Sequence, residues 1–182
     1  MVEMTMRNLQ KSISVVDNLA EISAGGIQEV PKPVKLTEFI NFACYRDNYH
    51  DIEFDVDDNV WIKISQYGLS IVLKNILDNA VDYAFNNADK QGFVKVTATK
   101  QDENLLITVQ DNGCGIKSNE LRNIYDPFYT TRRGDDHNGL GLAIAYNILG
   151  RLYNGNIQCN SSTTSGTEFR IYIPNVICKK SK

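Results

Sequence analysis

Polar side chains recur on one face of a predicted helix at residues 69–86. Asn75, Asn79, Asp82 and Asn86 follow one another at intervals of four, three and four residues, which keeps them on one helical face. Asparagine is a poor residue inside a helix because its amide competes for backbone hydrogen bonds. Amide oxygens suit a hard cation such as Mg²⁺, which keeps water and phosphate ligands. The stripe therefore indicates either a solvated face or a magnesium–phosphate site.

A glycine-rich loop follows the predicted strand 105–110. It runs Asp-Asn-Gly-Cys-Gly-Ile from Asp111 to Ile116. Gly113 and Gly115 permit backbone angles that are closed to other residues, and they let the chain approach a flat ligand closely. A carboxylate at the base of such a loop can accept a hydrogen bond from an adenine amino group. A tight turn would also explain an Asn-Gly pair, but this segment leads into a long polar connection and not into a returning strand.

A second glycine-rich segment opens the predicted helix 141–152. It consists of Gly139, Leu140, Gly141 and Leu142. A helix start presents free N–H groups and the positive end of the helix dipole, and missing side chains allow an anion such as phosphate to come close. Tight packing of the first helical turn is the alternative. The segment matches neither a P-loop nor the GxGxxG of a dinucleotide fold.

The connection at residues 112–138 is long for a compact domain, which is typical of a functional lid. Phe128 and Tyr129 are the aromatic residues expected to anchor it on the core. Hydroxyl and guanidinium groups that could reach a triphosphate follow them, although plain surface is the simpler reading for each arginine alone. These groups belong to Thr130, Thr131, Arg132 and Arg133.

The remaining pattern predicts the elements that must position these groups. Residues 4–23 are expected to form a helix with a heptad seam that Gly25-Gly26 end, either as an amphipathic helix docked on its own domain or as half of a helical bundle. Thr37 is expected to cap a short helix that ends near Tyr45. Strands are predicted at 52–56 and 60–64 around a turn, and at 93–99, 105–110, 157–159 and 168–173; a brief helix is expected at 119–125, and the tail after Pro174 is expected to be frayed.

Composition narrows the function classes. The chain has 182 residues, 42% of them hydrophobic, and a net charge of -3, so it suits a small globular domain and not a basic nucleic-acid surface. The cysteines are far apart and form no CxxC pair, which suggests neither a zinc site nor a disulfide framework. No apolar run reaches the length of a membrane span.

The ordered motifs resemble the catalytic, ATP-binding domain of sensor histidine kinases, in the superfamily that also holds gyrase, Hsp90 and MutL ATPases. The resemblance covers about residues 35–174 and rests on NILDNAVDYA, DNGCG, DPFYTT, GLGL and a final Gly166-Thr167. It implies a two-layer α/β sandwich of the Bergerat type, with a mixed sheet of about five strands covered on one face by three helices. It also implies that residues 1–26 are the second helix of a dimerisation hairpin, 27–34 a linker and 35–182 the catalytic domain.

The resemblance also implies site roles and cofactors, namely ATP and Mg²⁺. Asn79 would supply a magnesium ligand, Asp111 would bind the adenine amino group, and Asn75 would assist at the phosphates. Arg132 would join the two asparagines in catalysis. The other implied nucleotide contacts are Asp82, Tyr83, Gly113, Gly115, Ile116, Thr130, Thr131, Arg133, Gly139, Leu140, Gly141, Leu142 and Thr167.

Two departures from the family pattern keep alternatives open. Asp82 stands where many members carry Lys or Arg, so a basic phosphate contact is missing there. Asn75 stands where gyrase-like ATPases carry a catalytic Glu, and an amide cannot act as a general base. Phosphoryl transfer is therefore favoured over hydrolysis, while an anti-sigma-type Ser kinase, an ATPase or a degenerate nucleotide-binding or dimerisation module remain as alternatives.

The phosphoryl acceptor is not recognisable in this sequence. Family members modify a histidine in a stretch like H-E-x-x-x-P, and the only histidines here, His50 and His137, lie in no such stretch. The resemblance thus implies that the acceptor helix is missing from this chain. It further implies relay to a response-regulator aspartate, a homodimeric parent protein, a cytoplasmic location and no nucleic-acid partner.

Overall fold

A computed structural model describes residues 30–44, 52–85, 92–131 and 138–180. The predicted first helix, Asn86, Arg132, Arg133 and both histidines lie outside these ranges. In chain order the elements are β1 (Lys32–Lys35), α1 (Leu36–Cys44), β2 (Ile52–Val56), β3 (Trp61–Ile64), α2 (Gln66–Phe85), β4 (Val94–Gln101), β5 (Asn104–Asp111), α3 (Gly141–Tyr153), β6 (Asn156–Ser162), β7 (Gly166–Ile173) and β8 (Ile177–Cys178). None of the described helices is long and apolar enough to span a membrane.

The main sheet has the strand order β2-β4-β5-β7-β6. β2 runs parallel to β4, whereas the other neighbours are antiparallel, so the sheet is mixed. Alternate residues such as Val96, Ile107, Val109, Phe169 and Ile171 are buried, and the three described helices cover that face. The expected two-layer sandwich with a five-stranded mixed sheet is confirmed.

Helix α2 is the central support of the helical layer. Its apolar residues recur at helical spacing, and Val72, Leu73, Ile76, Leu77 and Ala80 are all at most 3% exposed, as the sequence predicted. Burial of each large side chain in such a set stabilises the fold by about 1.5–3 kcal/mol. The helix packs against α3 and β5. These contacts fix the position of its polar stripe relative to the main sheet.

A second, three-stranded sheet has the order β1-β3-β8. β2 and β3 were expected as neighbouring strands around a turn, but they lie in different sheets and do not pair. The expectation of a frayed tail is wrong for β8, which pairs with β3. Pro33 fits the edge strand β1, because an edge tolerates a residue that lacks an N–H donor.

Two local expectations also differ from the structure. Thr37 lies inside α1 and does not precede it, and the N–H of Leu36 donates to the carbonyl of Val60 (2.9 Å). The segment 119–125 forms consecutive turns without a helix.

Candidate nucleotide-binding site

The loop carboxylate lies at the end of β5, in a row of side chains that crosses the sheet. Asp111 is paired in register with Thr167 of β7, and Thr167 is paired with Ser161 of β6. Register partners in antiparallel strands project to the same side of a sheet. Because Asp111 and Thr167 are buried, the row lies on the face that the helices cover.

Asp111 is held as a buried hydrogen-bond acceptor. Its side chain is 3% exposed, and its Oδ1 accepts the N–H groups of Gly113 (2.8 Å) and Thr167 (3.3 Å). Burial raises the pKa of Asp111 to about 6, against the opposing effect of the two N–H donors. The carboxyl is therefore mainly ionised at neutral pH, and it can accept a further hydrogen bond from a ligand.

The loop glycines are required because neighbouring backbone comes very close. A Cβ at Gly113 would lie 2.6 Å from the carbonyl oxygen of Tyr83 in α2. A Cβ at Gly115 would lie 1.9 Å from the carbonyl oxygen of Ser162, and this glycine has a φ of +65°. The loop is thus packed between α2 and the end of β6, as a close approach to a ligand requires.

The polar stripe of α2 connects the loop with the start of α3. The Nδ2 of Asn75 donates to the carbonyl of Ile71 (2.9 Å), and a Cβ at Gly141 would lie 2.9 Å from the Oδ1 of Asn75. Asn75 and Tyr83 therefore lie at the two ends of the site. They are eight residues apart in the sequence, which corresponds to about 12 Å along the helix axis. Asn79 and Asp82 lie between them, and all four residues are half-buried.

The start of α3 is open to an anion. Its N-cap residue is Leu140, whose side chain makes no capping hydrogen bond, and the N–H of Leu140 itself donates to the Oδ1 of Asn138 (3.1 Å). Leu142 is half-buried in the first turn. Gly139 has a φ of +67° and packs so closely on the backbone of Tyr129 that a Cβ would lie 2.6 Å from its carbonyl oxygen. Uncapped N–H groups at a helix start attract phosphate groups.

Of the two residues expected to anchor the lid segment, Tyr129 packs against the core and Phe128 does not. Phe128 is 67% exposed and does not serve as an anchor, whereas Ile124 is buried and Tyr129 is half-buried against the core. The ring of Tyr125 packs against that of Tyr146 in α3 in a tilted arrangement, with 5.1 Å between the ring centroids. Burial raises the pKa of Tyr125 above its usual range, and its hydroxyl is buried without a hydrogen-bond partner among the described residues.

The structure describes most of the other predicted site residues. Thr130 is half-buried and Thr131 is exposed at the end of the described lid, and Ile116 is half-buried beside the core. Arg132 and Arg133 lie outside the described residues. Asp111, Gly113, Tyr83 and Thr167 come together at one end, whereas Asn75 and Gly141 meet at the other and Gly139 packs on Tyr129 of the lid.

Sequence reasoning missed Ser161. Its hydroxyl accepts the N–H of Ile116 (2.8 Å), donates to the carbonyl of Gly166 (2.9 Å) and lies 3.0 Å from the Oγ1 of Thr167. The predicted strand ended at Cys159. Because Ile157 and Cys159 alternate on one face, a strand longer by two residues would have placed Ser161 on that face as well.

Asn79 is the predicted metal ligand, it is half-buried on the polar stripe, and its amide oxygen is of a donor type that Mg²⁺ accepts. Among the described residues, no three His, Cys, Asp or Glu side chains form a group that could hold a metal ion. An ion beside Asn79 would then take its other ligands from phosphate oxygens and water, which is the usual manner for Mg²⁺.

Comparison with known proteins gives consistent matches. Residues 64–177 match the model of the histidine kinase-, DNA gyrase B- and HSP90-like ATPase family. The signal transduction histidine-protein kinase ArlS of Staphylococcus aureus is 26% identical over 179 residues, an alignment that covers 92% of this chain and 39% of the relative. The chain thus spans well under half the length of that relative.

Solved structures of other proteins have a fold similar to that of this chain. A mycobacterial sensor histidine kinase, MprB, is 26% identical, with a TM-score of 0.66 over 82% of this chain and 100% of that chain. Full-length ShkA in complex with AMPPNP has a TM-score of 0.70 at 23% identity, over 93% of this chain and 37% of that chain. At this identity the second likeness concerns the fold alone.

Proposed function

Because the chain belongs to the family of histidine kinase-, DNA gyrase B- and HSP90-like ATPases, we propose that it is the ATP-binding catalytic domain of a sensor histidine kinase. It binds Mg-ATP and transfers the γ-phosphoryl group to a histidine on a dimerisation helix that another segment or chain supplies. One observation supports the proposal most strongly. Helix α2 extends from Asp111, a buried hydrogen-bond acceptor, to the uncapped start of α3.

The two ends of the site suit the two ends of ATP. At one end, the Asp111 carboxylate accepts a hydrogen bond from the adenine amino group, and Thr167 and Ile116 line the base. At the other end, the N–H groups of Gly141 and its neighbours hold phosphate oxygens. The separation of about 12 Å along α2 suits an extended nucleotide, with its base at Tyr83 and its phosphates at Asn75.

Asn79 would hold the magnesium ion through its amide oxygen. When bound, Mg²⁺ neutralises charge on the phosphates and helps to position them for in-line transfer. The side chains of Thr130, Thr131, Arg132 and Arg133 would complete the phosphate contacts from the lid, with Arg132 at the transferred group. In this arrangement catalysis depends on positioning and electrostatics, and the protein supplies no covalent intermediate.

The neutral amide of Asn75 favours transfer over hydrolysis. Its amide nitrogen already donates to the carbonyl of Ile71, and its oxygen lies against Gly141. A neutral amide in this position orients neighbours but cannot take a proton from water. Water activation, which an ATPase requires, therefore has no base at this point of the site.

The wider role follows from the same proposal. The product would be phosphohistidine on the dimerisation helix of a homodimeric, cytoplasmic module, and a response-regulator aspartate would receive the phosphoryl group next. A degenerate nucleotide-binding module is the second candidate, because Asp82 is a half-buried acid on the stripe where a basic phosphate contact would be expected.

Incubation with radioactive ATP separates these candidates. We expect no stable labelling of the chain alone, because neither His50 nor His137 lies in an acceptor motif. Addition of a separate polypeptide with an acceptor helix should give acid-labile, base-stable label on that polypeptide, and replacement of its histidine by Gln should remove the label. Stable labelling of His50 or His137 would contradict the proposal, and ATP binding without any transfer would favour the degenerate module.

A further inference from the structure

Ser161 occupies a junction that the proposed function does not use. Its hydroxyl lies within hydrogen-bond distance of three groups, namely the N–H of Ile116, the carbonyl of Gly166 and the hydroxyl of Thr167. These groups belong to the end of the glycine-rich loop and to the start of β7. Ser161 thus joins the loop that carries Asp111 to the strand that carries Thr167.

The number of protons on these groups determines the direction of each hydrogen bond. A serine hydroxyl has one proton and two lone pairs. The amide of Ile116 can only donate to it, and the carbonyl of Gly166 can only accept from it, so its single proton is already used. The contact of 3.0 Å with the Oγ1 of Thr167 therefore requires Thr167 to be the donor. The Thr167 hydroxyl then presents only lone pairs to any other group.

The acceptor character of Thr167 adds to that of Asp111. The two residues are register partners, and the N–H of Thr167 donates to the Oδ1 of Asp111 (3.3 Å). The carboxylate of Asp111 and the hydroxyl of Thr167 thus belong to paired residues on the helix-covered face of the sheet, and both can act as acceptors. Such a pair of acceptors attracts the amino group of an adenine and repels the carbonyl oxygen of a 6-oxopurine.

We propose that Ser161 is a positioning residue for purine selectivity, which fixes the Thr167 hydroxyl as an acceptor and holds the loop at Ile116. This proposal rests on the proposed adenine site. Without the Ser161 hydroxyl, the amide of Ile116 and the carbonyl of Gly166 lose a partner. The Thr167 proton is then free to turn towards the ligand and can donate to a carbonyl oxygen.

Titration calorimetry with Mg-ADP and Mg-IDP tests this, because the base of ADP carries an amino group at C6 and an unprotonated N1, whereas the base of IDP carries a carbonyl oxygen at C6 and a proton on N1. We expect Ser161→Ala to weaken ADP binding by about tenfold, because the Thr167 hydroxyl is no longer held as an acceptor for the adenine amino group, and a tenfold change is the size expected when one protein–ligand hydrogen bond is lost. IDP binding should weaken much less, so the ratio of the two affinities should fall several-fold. Ser161→Thr keeps a hydroxyl and should keep the wild-type ratio.

A second variant guards against a purely structural effect. Thr167→Val removes the hydroxyl but leaves the Ser161 bonds to Ile116 and Gly166 in place, and it should lower the ADP/IDP ratio in the same way. Ser161→Ala should add no further change of the ratio in the Thr167→Val background. Equal loss of ADP and IDP affinity in Ser161→Ala, or an unchanged ratio in Thr167→Val, would overturn the proposal. A wild-type chain that binds neither nucleotide would instead reject the proposed function, and this proposal with it.

Discussion

The Asp111→Asn variant is expected to lose most of its affinity for Mg-ADP while it remains folded. The amide can still accept the N–H groups of Gly113 and Thr167 through its oxygen. Its NH₂ group, however, faces the ligand as a donor where the adenine amino group also donates. Such a mismatch costs about 1–3 kcal/mol, or roughly 5- to 150-fold in affinity. Titration calorimetry measures the loss, and equal affinity of both proteins would contradict the role of Asp111.

The same variant should differ from the wild type in its pH dependence. Burial raises the pKa of Asp111 to about 6, so wild-type affinity for ADP should fall as the pH is lowered through that value, because the protonated carboxyl no longer offers a free acceptor. Asp111→Asn does not titrate, and its weaker binding should not show this fall. A wild-type affinity that is constant between pH 5 and 7.5 would count against the assignment.

Stability should change in the opposite sense from binding. The folded-state pKa of Asp111 lies above its ordinary value of 3.8, so this carboxyl favours the folded state at low pH, and that contribution is lost as the pH rises through about 6. The uncharged Asn side chain avoids the burial of charge. The melting temperature of Asp111→Asn at pH 7.5 should therefore equal or exceed that of the wild type, which separates a binding defect from unfolding.

Asn79→Ala is expected to abolish magnesium-dependent phosphoryl transfer with little loss of stability. Asn79 is half-buried on the polar stripe, whereas the core face of α2 is formed by residues such as Leu73 and Ile76. The change therefore removes a magnesium ligand and creates no cavity in the core. The measurement is transfer of label to an added acceptor helix over a range of magnesium concentrations.

Lys74→Ala provides a matched control on the same helix. Lys74 forms an ion pair with Asp78 at 2.7 Å, and both side chains are about two-fifths exposed. Pairs of this kind contribute about 0–1 kcal/mol, so transfer should stay close to wild type. Unchanged transfer in Asn79→Ala, with ATP binding intact, would refute the role of Asn79 as a magnesium ligand.

Local periodicity predicted the part of the site that lies on single elements. The buried face of α2 follows from apolar residues at helical spacing, and the position of Asp111 follows from a strand that ends at a glycine-rich loop. The sequence also predicted the start of α3 at Gly141, because two glycines separated by one residue stand at the beginning of a run of helix-forming apolar residues.

Contacts between distant segments could not be predicted in this way. Ser161 meets Ile116 across 45 positions of the chain, and β3 pairs with β1 and β8 instead of its neighbour β2. Strand pairing depends on which faces can be buried together, and one sequence does not reveal this. The same limit applies to the lid, where Phe128 and Tyr125 are both aromatic. Only the packing of Tyr125 against Tyr146 in the structure shows which of the two residues anchors the lid.

Amide hydrogen exchange with and without a magnesium-bound, non-hydrolysable ATP analogue tests the central claim most directly. We expect new protection in three places, namely the second half of α2 from Asn75 onwards, the loop from Asp111 to Ile116, and the first turn of α3 at Gly141. The strand β2, at the far edge of the main sheet, should exchange at the same rate in both states. Protection that is absent from the loop and from the start of α3, or that appears on β2 instead, would contradict the central claim.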